Sequence, residues 1–112
     1  MTLIYKICPR TLWVEAEREQ VFRGAPVDLA DGFIHFSTAD QVRETAAKHF
    51  PGAADLVLAA VEAGRLGPAL RWEPSRGGAL FPHLYADLPL GAVQWVKSLP
   101  LDADGQHQFP DL

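Results

Sequence analysis

Phe33-Ile34-His35-Phe36-Ser37-Thr38, running straight into Ala39-Asp40-Gln41-Val42-Arg43-Glu44, is the stretch on which the reading of this chain turns. Its first half is an apolar, β-prone run, and its second half carries helix-start chemistry. Thr38 or Ser37 stands at the cap position, with Asp40, Gln41 and Glu44 following, where acids favour the helix dipole. Strand therefore passes directly into helix. Along the strand, side chains alternate, so Phe33, His35 and Ser37 share one face and Ile34 and Phe36 the other. An imidazole buried without a partner costs free energy, so a histidine among aromatic and aliphatic neighbours must be paired, solvated or used.

The same oddity recurs in Phe81-Pro82-His83-Leu84-Tyr85. Alternation puts His83 with Tyr85 opposite Leu84, and Arg71 with Glu73 opposite Leu70 and Trp72, which gives polar groups on one face of three strands. Arg71 has the fork to hold a carboxylate or phosphate, Glu73 can orient a hydroxyl or accept a proton, and Tyr85 offers a ring for stacking. Ser37, at a helix start, stands where backbone N–H groups favour an anion. A plainer reading accounts for the same residues: Ser37 or Thr38 caps the helix, His35 bonds a carbonyl, Arg71 pairs with Glu73, and His83 and Tyr85 satisfy each other.

Outward from these runs, Leu3 to Cys8 alternates and meets Pro9, a short first strand. A helix capped by Thr11 is expected to about Arg18, with Leu12, Trp13 and Ala16 on one face. Gln20-Val21-Phe22 reads as a short appendage, and Gly24-Ala25-Pro26 and Asp31-Gly32 bound a loop over Val27 to Ala30. The helix after Thr38 runs to about Phe50, with Val42 and Ala46 inward and Pro51-Gly52 closing it. The second half reads as strands at Leu56 to Glu62, Leu70 to Glu73, Leu84 to Ala86 and Ala92 to Leu99. Gly77-Gly78 is a hairpin turn or flap. Asp102 to Leu112 is polar and aperiodic, so one domain over 1–101 is expected to carry a polar C-terminal tail over 102–112, as a surface tail or an extended segment, with His49 and His107 at the surface.

With 112 residues, 48% of them hydrophobic and 21% charged, the chain has the make-up of an ordinary single globular domain. A net charge of −4 argues against non-specific nucleic-acid binding. No run approaches the ~20 apolar residues of a membrane span, and Met1 to Lys6 lacks the zones of a signal peptide, so a cytosolic protein is expected. The single cysteine, Cys8, excludes an internal disulfide and reads as a small buried apolar residue. Two imidazoles and a carboxylate, His35, His83 and Glu73, have the donor chemistry for zinc, but the dense spacings of a zinc motif are missing and no metal is expected.

The Leu3-Ile4-Tyr5 start, Gly32 to Thr38, Leu70-Arg71-Trp72-Glu73-Pro74 and Phe81 to Tyr85 together resemble the domain-of-unknown-function family numbered 952, over nearly the whole chain to about Pro100. The resemblance implies an α+β domain of ADP-ribosyltransferase-like fold: two small, mainly antiparallel sheets around a cleft, with two main helices in the N-terminal half. In the enzymatic relatives such a cleft binds NAD. A first-strand polar residue there holds the nicotinamide ribose, a position taken by Lys6 where many family members have histidine. The second element corresponds to His35, Ser37 and Thr38, and the late element falls near His83 and Tyr85, with Glu73 the nearest glutamate.

These readings converge on a small-molecule site for a nucleotide-like or phosphorylated ligand of the NAD or ADP-ribose type. His35, Glu73 and His83 are its candidate catalytic residues, and Lys6, Ser37, Thr38, Arg71 and Tyr85 its candidate ligand-binding residues. NAD is then substrate or ligand, and no further cofactor is required. If the site turns its ligand over, the chemistry implied is cleavage at the nicotinamide ribose, with a developing oxocarbenium ion stabilised electrostatically. The alternative is a non-enzymatic interaction domain whose histidines are structural.

Overall fold

The segment Leu56–Glu62 is buried along all but its last residue, and the rest of the molecule is arranged around it. In the computed structural model, which describes residues 1–112 apart from the Arg76 side chain, the elements follow in the order β1 (Leu3–Pro9), α1 (Arg10–Glu19), β2 (Val21–Phe22), α2 (Pro26–Asp31), β3 (Ile34–His35), α3 (Val42–His49), β4 (Leu56–Glu62), β5 (Leu70–Pro74), β6 (Leu80–Leu84), β7 (Leu88–Pro89) and β8 (Val93–Leu99). The architecture is α+β. Strands pair antiparallel in a β1-β4-β8 sheet, a β3-β6-β5 sheet and a two-stranded β2-β7 ribbon.

β4 reads as a continuous apolar run because both faces of its sheet are covered. On one face Ile4, Cys8, Val57, Ala59 and Val61 pack with Trp13 and Ala16 of α1 and with Ile34, Phe36 and Leu84. On the other, Tyr5, Ile7, Leu56, Leu58 and Ala60 pack with Val42 and Ala46 of α3. The two larger helices therefore sit on opposite sides of the central sheet.

The sheets are stitched together where the opening stretch leaves its strand. Ile34 and His35 pair with Leu84 and His83, and Phe36 N–H donates to the Pro82 carbonyl. Pro82 has no N–H to return that bond, so the ladder stops there. Ser37 instead exchanges both backbone hydrogen bonds with Tyr5 of β1, at 2.8 and 2.9 Å. A short β3 thus bridges two sheets, where a full strand from Phe33 to Ser37 was expected.

Three further expectations are corrected, and the C-terminal segment is placed. The strand expected at Leu84 to Ala86 lies at Leu80–Leu84, with Pro82 inside it. The loop expected over Val27 to Ala30 is the helix α2, begun by Pro26 at its first turn and ended by Gly32 at φ 86°. Neither Ser37 nor Thr38 caps α3 through its hydroxyl: the Ser37 hydroxyl is 2.8 Å from Thr45 Oγ1, and Gln41 Oε1 accepts from Thr38 N–H. Residues 102–112 fold back on the domain, with Leu101 bridging to His107, whose Nε2 donates to the Ala53 carbonyl at 2.8 Å, and Phe109 against the α3 side of the core. Among the described residues no helix is long and apolar enough to cross a membrane.

Candidate functional site

Register places three of the expected site residues in a single row. His35 of β3 is directly opposite His83 of β6, and His83 is directly opposite Arg71 of β5. Side chains opposite one another on antiparallel strands share a face, so the two imidazoles emerge side by side with ring centres 5.6 Å apart. Phe33 packs against both, 4.1 Å from the His83 ring in a stacked arrangement and 4.5 Å from the His35 ring. Its aromatic surface holds the imidazoles in place from one side.

Each histidine is aimed by a carboxylate. His83 is 6% exposed, and its Nδ1 lies 2.8 Å from Glu73 Oε1. An ionised carboxylate only accepts, so Nδ1 carries the proton and Nε2 is the nitrogen left for a bound molecule. The same Glu73 oxygen accepts from the Tyr85 hydroxyl at 2.7 Å. These two hydrogen bonds, Tyr85 first, hold the Glu73 carboxyl below its ordinary range, and the bond to Glu73 raises the Tyr85 hydroxyl. The Arg71 guanidinium, at the far end of the row, lies 4.8 Å from the Tyr85 ring centre.

On the His35 side the organising residue is Asp28, which the sequence reading placed in a loop. Its side chain is buried, and Lys6 Nζ donates to both its oxygens at 2.9 and 2.8 Å. The His35 ring donates through Nδ1 at 2.7 Å, the His35 backbone N–H at 3.1 Å, and the Ala25 N–H at 2.8 Å. Burial alone raises a carboxyl, but here the His35 hydrogen bond and the Lys6 charge and hydrogen bond outweigh it and take Asp28 down to about 2. Burial depresses Lys6 against the pull of Asp28. Gly24, at φ 123°, makes room for the carboxylate, because a Cβ there would come within 3.0 Å of the Asp28 Cβ. The one signal for Asp28 in the sequence is its place in the first turn after Ala25-Pro26, where an acid caps the preceding N–H.

Lys6, His35, Ser37 and His83 line a pocket of about 480 Å³, with Asp31, Thr45, Ser75 and the exposed His49 among the other residues of its wall. Arg71, Glu73, Tyr85 and Thr38 are not in its wall. Glu73 and Tyr85 connect to it through the Glu73–His83 hydrogen bond, Arg71 lies beside Tyr85, and Thr38 is held in the turn before α3. Of the three candidate catalytic residues, then, His35 and His83 reach the pocket, and Glu73 acts on it through His83. A second hollow of about 470 Å³, between α3 and the C-terminal segment, brings together only Arg43 and His107 as ionisable side chains. Among the described residues no three His, Cys, Asp or Glu side chains converge as metal ligands, since the two histidines turn their Nδ1 atoms to different carboxylates. Cys8 is fully buried on β1, and burial pushes its thiol up to about 12.

Residues 7–96 match the model of a family described as a protein of unknown function, DUF952. The chain belongs to the DUF952 family. The match contains Asp28, both histidines, Glu73 and Tyr85, and begins one residue after Lys6. Among solved structures, the DUF952 chain is similar to the X-ray structure of protein CC0527 from Caulobacter crescentus, with 57% identity, 96% of this chain and 94% of that one covered, and a TM-score of 0.92. The solution NMR structure of the same protein agrees, with 57% identity, 96% and 93% coverage and a TM-score of 0.86. No curated protein matches the chain.

Proposed function

We propose that this DUF952 domain binds a nucleotide-like or phosphorylated small molecule of the NAD or ADP-ribose type in the pocket between His35 and His83, within an ADP-ribosyltransferase-like fold. The observation that carries the reading is His83 itself. It is a nearly buried imidazole, fixed from behind by Glu73 and from the side by Phe33, in the wall of a pocket whose volume lies in the range of small-molecule sites. A sheet that needed only stability would gain more from an apolar side chain there than from a histidine whose partner is a half-exposed carboxylate.

Binding is favoured over ADP-ribosyl transfer. Glu73 spends one oxygen on His83 and Tyr85 and is absent from the pocket wall, so it is not in place to meet a ribose directly. If NAD is hydrolysed, water attacks the ribose C1′ as nicotinamide leaves with the electrons of the glycosidic bond, His83 Nε2 takes the proton of that water, and Glu73 stabilises the imidazolium that forms.

The second reading is an interaction domain with structural histidines, and one observation favours it. His35 has a carboxylate on each ring nitrogen and so needs no ligand. Thermal midpoints with NAD, ADP-ribose and a 2′-phosphorylated nucleotide separate the two. A ligand at a hundredfold over its Kd adds about 2.7 kcal/mol to stability, a readily measured upward shift. A midpoint unmoved by all three overturns the nucleotide pocket.

A further inference from the structure

The two carboxylates on His35 differ in kind. Asp28, on Nδ1, is buried and tied to Lys6, to Ala25 N–H and to the His35 backbone. Asp31, on Nε2 at 2.9 Å, is the last residue of α2, with a side chain 48% exposed, and among the described residues its side-chain partner is His35. Asp28 is a fixture, whereas Asp31 is held by a single contact at the pocket wall. A ring with an N–H on both nitrogens satisfies both carboxylates.

We propose that Asp31 competes with an anionic group of the ligand for His35 Nε2, so that α2 carries a built-in substitute for a phosphate and sets the affinity and selectivity of the pocket. This rests on the reading of the pocket as a site for phosphorylated ligands. A phosphate oxygen seeks the same donor that Asp31 Oδ2 now accepts from, and both oxygens are anionic acceptors of similar reach. The Lys6 cation in the same wall is already neutralised by the buried Asp28, whereas the partner at His35 Nε2 is a half-exposed carboxylate. The exchange also relieves repulsion, because Asp31 as it stands puts a negative charge beside any incoming phosphate. An exposed carboxylate on a partly exposed imidazole is a weak competitor, so binding with displacement remains feasible.

Removing the competitor should tighten binding, a direction that misfolding cannot imitate. Inorganic phosphate and ADP-ribose are titrated separately into the full chain, following the imidazole ¹⁵N signals of His35, for the native protein, Asp31→Ala and Asp104→Ala. Asp31→Ala is expected to bind both probes about fivefold more tightly. Asp104→Ala removes an equal charge in the C-terminal segment and is expected to leave both affinities unchanged. Unchanged or weaker binding by Asp31→Ala overturns the proposal, as does equal tightening by Asp104→Ala, which would make the effect one of net charge. If Asp31→Ala gains phosphate affinity while ADP-ribose binds to neither protein, the competition stands and the nucleotide reading falls. If the native protein binds ADP-ribose and Asp31→Ala binds it no better, the nucleotide reading stands and the competition falls. If no protein binds either probe at millimolar concentration, both fall.

Discussion

His35 and His83 stand opposite each other on neighbouring strands, and each is aimed by a carboxylate from a different part of the chain: Asp28 of α2 for the first, Glu73 of β5 for the second. The pairing differs in strength on the two sides. Asp28 is buried in an ion pair with Lys6, while Glu73 lies half-exposed at the rear of the row. Different consequences follow for stability and for binding.

Asp28 makes the domain acid-sensitive. Its folded carboxyl titrates near 2 against an ordinary value of 3.8, so the unfolded chain takes up the proton first. The stabilisation is complete above about pH 4 and is lost as the pH falls towards 2, an amount of about 2 kcal/mol. Urea midpoints between pH 5 and pH 2 should fall for the native protein and stay flatter for Asp28→Asn in that window; parallel curves would contradict the assignment.

At neutral pH, Asp28→Ala leaves the Lys6 ammonium buried without its counter-charge, and a loss of about 3–5 kcal/mol is expected. Replacing both partners together, Lys6→Met with Asp28→Leu, should recover most of that loss, because no charge is then left stranded. Denaturant unfolding of the single and double variants measures the difference, and a double variant no better than the single one would count against a simple ion pair.

Glu73→Ala should weaken ligand binding about tenfold while costing little stability, since the carboxylate is half-exposed and acts by fixing the His83 tautomer. Imidazole ¹⁵N shifts should report loss of the Nδ1–H form at His83 in this variant. Tyr85→Phe removes only the second donor to Glu73 and should leave the His83 tautomer intact. An unaltered His83 ring in Glu73→Ala would mean that the carboxylate does not orient it.

Cys8 should be inert in the folded protein. Burial pushes its thiol up to about 12, so little thiolate exists at neutral pH and reagents reach it only on unfolding. Labelling by a thiol-specific reagent should therefore follow the unfolding transition. Rapid labelling under native conditions would show that β1 opens locally.

Much of this was legible in the residues, and what was not has identifiable causes. The unbroken apolar run Leu56 to Glu62 marks a strand covered on both faces, and it forms with those bounds. Alternation put His35, His83, Arg71 and Glu73 on one face, and the register agrees. Two errors came from reading proline and glycine only as breakers. Pro82 sits inside β6 because its missing N–H falls where β3 ends and Ser37 turns to Tyr5, and Pro26 begins the six-residue α2 that looked like a loop. Missing α2 meant missing Asp28 and Asp31; Asp28 in addition depends on Lys6, 22 positions before it, a contact that local periodicity does not encode. The alternation of Arg71, Glu73 and Tyr85 was correct, yet their place outside the pocket wall depends on which rings fill the space, and Phe33 fills it.

The central claim is that the pocket at His35 and His83 takes a nucleotide-like ligand, and amide spectra of the ¹⁵N-labelled protein during titration with NAD and with ADP-ribose test it most directly. Saturable shifts at His35, Ser37 and His83, weakened in His83→Ala, are the predicted result. Spectra that stay unchanged at these residues with both ligands at millimolar concentration would contradict it.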